Sequence, residues 1–164
     1  MSQDVQTLIA SLVSGDVATR REAAESFAKL GPDAVAGALS LVKACDDDEQ
    51  VRNWVVAALE ELPAPSAADA TALESLINGT NLDIAFWATT LLGRMEAAAA
   101  SAVPTLAAAV TDHPELVVRR RAAWALGKIG KPAAEAGPQL EAAATSEDAR
   151  LARFATTALE SIRS

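Results

Sequence analysis

Several residue types that carry chemistry in proteins are scarce in this sequence of 164 residues. It contains no Tyr, one Cys and one His, and aromatic residues make up only 4% of it. The single Cys45 cannot form an internal disulfide, so nothing indicates an oxidising compartment. No apolar run approaches the roughly 20 residues of a membrane span, and the N-terminus lacks the pattern of a signal peptide. We therefore expect a soluble, cytoplasmic protein that does not associate with membranes.

Positive charge is also scarce, since the net charge is −8. Residues 46–96 carry ten acidic side chains against two basic ones, which gives −8 for that stretch alone, and the rest of the chain is close to neutral. Nucleic-acid binding requires a broad cationic face. The one basic cluster, Arg119-Arg120-Arg121, is too small to provide it, so we expect no nucleic-acid partner. The acidic middle instead favours a protein partner that docks through a basic segment.

Alanine dominates what is present. Hydrophobic residues make up 51% of the sequence, and Ala is the commonest of them, with Leu and Val next. Alanine is the best helix former, whereas sheets favour β-branched and aromatic residues. The composition predicts an all-α protein whose helices pack closely.

One pattern recurs five times along the chain. Segments beginning at residues 19, 51, 84, 118 and 151 share a spacing of 32 to 34 residues. Within each segment the apolar positions fall at offsets 0, 4, 7, 8 and 11, which form one stripe on an α-helix. Three positions before each start stands a residue that can cap a helix: Asp16, Asp48, Asn81, Glu115 and Asp148. We name these predicted elements A helices, and Pro114 is predicted to open the fourth, which would move its cap to His113.

Shorter apolar stripes lie between the A helices and predict a second set, the B helices. We expect them approximately over residues 33–44, 66–78, 101–110 and 133–144. Pro104 and Pro138 fit the first turns of the last two. With an unpaired B helix at the N-terminus, residues 1–164 are predicted to form a single domain of about ten helices: one B helix, four A–B pairs and a final A helix. Neither end resembles a linker, so we expect the chain to be complete.

The repeat resembles that of the HEAT family. The resemblance is carried by Val118-Arg119, the run from Ala122 to Gly130, and the B-helix run Ala102-Val103-Pro104-x-Leu106. It is similar above all to short bacterial HEAT-like repeats, including those of phycobilisome lyases. The resemblance implies a right-handed α-α superhelix, a solenoid with A helices on the convex side. The Arg at offset 1, present as Arg20, Arg52 and Arg119, is expected to tie neighbouring acidic turns together in a ladder with Asp16, Asp48 or Glu115.

Three tryptophans are the least expected residues in such a chain. Trp54 and Trp87 share offset 3, where Arg121 and Phe154 stand in later repeats. Aromatic residues and Arg are enriched at the energetic centres of interfaces. Packing against the core is the favoured alternative for Trp54 and Trp87. Trp124 stands at offset 6, where the other repeats carry residues not expected in the core, so it is equally a candidate for an exposed anchor.

The other chemically notable residues have simpler interpretations. Arg120 and Arg121 are expected to meet acids or solvent, and they form a candidate contact for an acidic partner. The run from Asp46 to Glu49 lacks the alternating ligands of a calcium loop, so a solvated loop is the favoured interpretation. We find no nucleophile with a base, no metal-ligand set and no phosphate-binding loop, and therefore predict no enzyme activity, no cofactor and no metal.

The sequence thus predicts a non-catalytic scaffold that binds another protein through its repeat surface. The candidate binding residues are Trp124, Arg121, Arg120, Trp87 and Trp54. Two alternatives stay open. One is a subunit of a HEAT-type chromophore lyase, and the other, disfavoured by the negative charge, is a HEAT-like DNA glycosylase. Fold does not by itself decide between them.

Overall fold

The computed structural model describes the backbone of residues 2–164 and the side chains of residues 5–164. This part of the chain contains α-helices, short 3-10 helices and no strand, which confirms the predicted all-α class. The α-helices are α1 Ser2–Leu12, α2 Val17–Leu30, α3 Ala38–Lys43, α4 Glu49–Glu61, α5 Ala70–Glu74, α6 Leu82–Arg94, α7 Val103–Asp112, α8 Leu116–Ile129, α9 Gly137–Ala144 and α10 Ala149–Arg163. Their order is the predicted one.

The chain divides into two compact units. Unit 1 is Met1–Pro65 and contains α1 to α4, whereas unit 2 is Ser66–Ser164 and contains α5 to α10. In unit 1, α2 packs against α1 and α4. In unit 2, α8 packs against α6, α7 and α10. The sequence-based assignment of residues 1–164 to a single domain stays a prediction.

The A helices bury the stripe that the periodicity predicted. In α8 all five expected positions are buried, namely Val118, Ala122, Ala125, Leu126 and Ile129. The same five offsets are buried in α10, as Leu151, Ala155, Ala158, Leu159 and Ile162. Small residues in and beside these stripes let neighbouring helices approach closely. Gly127 illustrates this, since a Cβ at that position would lie 3.2 Å from the Ala158 Cα on α10.

Four of the five predicted caps form. Side chains of Asp16, Asp48, Asn81 and Asp148 each accept a hydrogen bond from an amide in the first turn of the following helix. The fourth segment differs, because α8 begins at Leu116 and its N-cap Glu115 makes no side-chain capping bond. The prediction that Pro114 opens this helix with His113 as its cap is therefore wrong. His113 Nδ1 instead accepts the Glu115 amide hydrogen at 3.1 Å, which satisfies a donor just before the helix.

Three of the B helices, α3, α5 and α9, are shorter than predicted because 3-10 turns replace their first residues, whereas α7 has the predicted length and begins two residues later. Such turns cover Gly31–Gly37, Glu96–Ala102 and Lys131–Ala136. Pro104 and Pro138 occupy the first turn of α7 and α9, as expected. A proline has no amide hydrogen to donate, so the α-helical bonding pattern starts there and the preceding residues form tighter turns.

Arginines at the start of α2 and α8 join neighbouring elements of the repeat stack. Arg20 Nε and Nη2 donate to the two carboxylate oxygens of Asp47 at 2.7 and 2.9 Å. Arg119 Nε donates to the Val110 carbonyl at 3.1 Å, and Arg120 takes the acidic partner, Asp148. Arg20 therefore ties neighbouring turns together as predicted, but its carboxylate is Asp47 and not Asp16 or Asp48. The predicted ladder with Glu115 is wrong for Arg119, which donates to a backbone carbonyl. An arginine side chain is long enough to span two stacked helices, and the bidentate geometry favours the facing carboxylate.

Candidate protein-binding site

The three tryptophans occupy three different environments. Trp54 on α4 is 38% exposed, whereas Trp87 on α6 is only 8% exposed. Trp124 on α8 is half-buried. Core packing, the favoured interpretation for both offset-3 tryptophans, therefore describes Trp87 and is wrong for Trp54.

Trp87 packs within unit 2 between an aromatic ring and a cation. The Phe86 ring meets it edge-on, with 5.5 Å between ring centroids. The Arg94 guanidinium lies over its ring, 5.9 Å from the centroid. With so little surface left, Trp87 supports the site and offers little area to a partner.

Trp124 is held in place by α6 and by two cations of its own helix. A Cβ at Gly93 would overlap its ring, so the absence of a side chain on α6 makes room for the indole. Arg121 and Lys128 lie over the same ring, at 4.8 and 5.9 Å from the centroid. Thr90 occupies the position of Trp124 in the repeat of α6, and it is only 4% exposed. The expectation that residues at offset 6 lie outside the core is therefore wrong for α6 too.

Arg121 is the cation at the centre of this arrangement. Its guanidinium carbon lies 4.6 Å from the Phe86 ring centroid and 4.8 Å from that of Trp124. Two aromatic faces therefore fix the guanidinium in one place. Burial lowers the pKa of Arg121 from its usual value, and the charge of Arg94 adds to the shift. No carboxylate among the described residues pairs with it.

Arg120, the third predicted candidate of α8, is engaged internally. Its Nε donates to Asp148 Oδ1 at 2.8 Å, and Nη2 bonds the other carboxylate oxygen. The pair holds the pKa of Asp148 down to about 2, with the Leu151 amide contributing. Asp148 also caps α10, so Arg120 joins α8 to the start of α10 and is not placed to meet a partner.

A groove of about 370 Å³ lies between α8 and α10, next to Trp124. Its lining combines aromatic, cationic, hydroxyl and small residues, and contains no carboxylate: Trp124, Gly127, Lys128, Arg153, Phe154, Thr157, Ala158 and Ser161. Arg153 stands over the Phe154 ring at 5.6 Å. The sequence interpretation missed Lys128 and Arg153 as site residues. The sequence shows Lys128 four residues after Trp124 and Arg153 next to Phe154. Only the structure shows that these four side chains border one groove.

Outside this groove the chemistry is limited. His113 is buried at 7% exposure, and its Nε2 lies 3.1 Å from the Ile77 carbonyl, so this histidine joins two loops of unit 2. Cys45 is buried in unit 1. Among residues that the structure describes, no three His, Cys, Asp or Glu side chains form a group able to hold a metal. Within the same residues, no helix combines the length and apolarity that crossing a membrane requires.

Comparison with known proteins places the chain in a family. A sequence profile of HEAT repeats matches residues 70–160, which is more than half of the chain. The chain belongs to the HEAT-repeat family. The matched HEAT repeats include the whole groove between α8 and α10 except Ser161 at its edge. No curated protein sequence matches the chain.

Solved structures show the same HEAT-like fold. A crystal structure of an engineered protein from the Northeast Structural Genomics Consortium is 24% identical, with a TM-score of 0.68 over 97% of this chain and 79% of that one. A second engineered protein from the same consortium is 23% identical with a TM-score of 0.67, and the alignment covers 98% of this chain but 48% of that one. The complex of CpcE and CpcF of phycocyanin lyase from Nostoc sp. PCC7120 is 23% identical, with a TM-score of 0.66, over 96% of this chain and 64% of that one.

Proposed function

We propose that this chain is a non-catalytic HEAT-repeat scaffold that binds another protein in the cytoplasm. The observation that carries the proposal is the surface formed by α6, α8 and α10, where Phe86 and Trp124 hold Arg121 beside an open groove. Trp and Arg are the residue types whose truncation most often weakens protein complexes. Rigid side chains of this kind lose little conformational entropy on binding, so they suit a contact surface.

A basic docking segment of the partner would suit a different surface, in unit 1. Trp54 is 38% exposed on α4. The same helix exposes Glu49, Glu60 and Glu61, and its residues belong to the acidic stretch 46–96. An exposed aromatic side chain on an acidic helix favours a segment with Lys or Arg, through both charge attraction and cation–π contact.

The proposal is tested by affinity capture with the tagged chain from a lysate of its source organism, followed by cross-linking and mass spectrometry. We expect a specific protein to be retained, with cross-links to unit 2 near the groove or to α4. Trp124→Ala with Arg121→Ala should abolish retention if the groove is used, and Trp54→Ala should do so if α4 is used. Arg163→Gln, an exposed change on α10 at a side chain that pairs with Glu141 of α9 and does not line the groove, is the matched control. Retention that none of these variants alters would contradict both proposed surfaces.

A subunit role in a chromophore lyase is the second candidate, favoured by the likeness to the CpcE–CpcF complex. In that structure a chain of this fold is assembled with another protein, which agrees with a binding role as well. Co-expression of the chain with a bilin and its acceptor protein would separate the two candidates. Covalent attachment of the pigment, seen as a bilin absorbance band that survives denaturation, would replace the scaffold proposal with the lyase.

A further inference from the structure

Arg121 differs from the other arginines that the structure fixes in position. Arg20 has Asp47, Arg120 has Asp148, and Arg163 has Glu141 as an ionic partner. Arg121 is half-buried, yet no carboxylate among the described residues pairs with it. Its guanidinium instead contacts the rings of Phe86 and Trp124. A cation that has lost part of its hydration without gaining an anion is destabilised. An anion supplied from outside the chain would compensate that loss.

The surroundings of Arg121 point the same way. Trp124, which stacks on Arg121, also lines the groove between α8 and α10. Lys128 and Arg153 border this groove, and both side chains are exposed. The groove therefore presents cations together with an apolar floor formed by Trp124, Gly127 and Ala158, and no lining residue is acidic.

The overall charge of −8 does not prevent an anion from binding here. Exposed charges further apart than about 8 to 10 Å are largely screened at physiological ionic strength. Local cations at the groove therefore outweigh acidic residues elsewhere in the chain.

We infer that the groove between α8 and α10 binds an acidic peptide segment that carries a bulky apolar side chain. The apolar side chain fills the groove against Trp124. Its flanking carboxylates meet Lys128 and Arg153, which line the groove, and Arg121, which stacks on Trp124 outside that lining. This assignment rests on the proposed scaffold function and specifies the partner at one surface. A single-stranded nucleic acid also combines negative charge with rings that stack. A peptide is favoured, because three cations on an acidic protein fall short of the extended cationic path that a nucleic-acid backbone requires.

The test is a fluorescence-anisotropy titration of the full chain with a short labelled peptide in which Glu alternates with Leu and Phe. Matched probes replace every Glu with Lys, or every Leu and Phe with Ser, and a fourth probe is a labelled single-stranded oligonucleotide. We expect the Glu–Leu–Phe peptide to bind and the other three to bind at least about tenfold more weakly. Binding should weaken as salt concentration rises.

Substitutions locate the binding. Because Lys128 and Arg153 are exposed, Lys128→Gln and Arg153→Gln leave the core intact, and each should weaken the acidic peptide several-fold. Arg121→Gln should weaken it about tenfold, with circular dichroism to confirm that the variant is folded. Arg163→Gln removes the same charge from an exposed position of α10 that pairs with Glu141 of α9 and does not line the groove, so it should leave the affinity unchanged.

Three results would overturn the inference. Equal weakening by Arg163→Gln would show that only net charge matters. Tighter binding of the Lys peptide or of the oligonucleotide would assign the groove to another class of ligand. Absence of peptide binding would also refute it. The scaffold function is tested separately by the capture experiment, because the Trp54→Ala variant in that experiment does not involve this groove.

Discussion

Three described residues at equivalent positions of the repeat have a positive backbone φ angle, and only two of them are glycines. The position that follows α2 and α8 is a glycine with positive φ, 55° at Gly31 and 71° at Gly130. Glu96 stands at the same distance from the start of its repeated segment, two residues after α6, and also has a positive φ, of 51°. A left-handed conformation costs a residue with a side chain about 1–2 kcal/mol, a cost that glycine largely avoids.

Replacing Glu96 with Gly should therefore stabilise the protein. The exposed Glu96 side chain contributes little packing, and relief of backbone strain outweighs the extra entropy of an unfolded glycine. We expect a net gain of about 0.5–1 kcal/mol, or roughly 2 °C in melting temperature by calorimetry. Gly130→Ala provides the opposite control, with a loss of about 1 kcal/mol. A lower melting temperature for Glu96→Gly would show that the strain at this position is negligible.

Residues at equal positions in the repeats could not be assigned equal burial from the sequence. Trp54 and Trp87 share one offset, but Phe86 and Arg94 cover Trp87, whereas Trp54 stays 38% exposed. Trp124 was predicted as an equal candidate for exposure and is half-buried because Gly93 leaves space for its ring. The periodicity predicts which side of a helix faces the core. It does not predict which neighbouring side chain covers a residue at the edge of that face.

At the level of whole elements, the sequence predicted the A helices well and the B helices less well. The apolar stripe and the caps Asp16, Asp48, Asn81 and Asp148 depend on residues close in sequence, so local rules were sufficient. The 3-10 turns that open the B helices leave no comparable pattern. The arginine pairs depend on which turn of the next repeat faces each guanidinium, and that depends on how helices stack. For the same reason the groove was missed, although Trp124 and Arg121 were singled out.

Contact between α8 and α10 gives a prediction at this scale. The Arg120 guanidinium holds the pKa of Asp148 at about 2, below its usual value of 3.8. A lowered pKa in the folded state means that the carboxylate stabilises the fold above pH 4 and that this contribution is lost as the pH falls towards 2. Asp148→Asn keeps a capping side chain but removes the charge. We expect its melting temperature to lie below that of the parent at pH 6 and to converge with it near pH 2.

The matched control for Asp148→Asn is Arg163→Gln. This change breaks the ion pair with Glu141, whose two side chains are 64% and 60% exposed. Exposed pairs of this kind contribute little to stability, so the melting temperature should hardly change at either pH. If the difference in melting temperature between the parent and Asp148→Asn persisted unchanged to pH 2, the stabilising contact of Arg120 with residue 148 would not depend on the charge of Asp148.

For the molecule as a whole, stability in a stack of repeats is a sum of contacts between neighbours. Within unit 1, α2 has neighbours in both α1 and α4, and within unit 2, α8 packs against α6, α7 and α10. The terminal helix α10 packs against α8 and α9. A helix that is covered on both sides can open only when one of its neighbours also gives way, so its amides should exchange most slowly.

We therefore expect hydrogen exchange, followed by mass spectrometry, to be slowest at α2 in unit 1 and at α8 in unit 2. Amides in the middle of α10 should exchange at least about tenfold faster than those in the middle of α8, although α10 is the longer helix and is capped by Asp148. If helix length and capping governed protection, the order would be reversed. Slower exchange in α10 would then mean that local helix stability, and not the stacking of repeats, determines which part of this protein opens first.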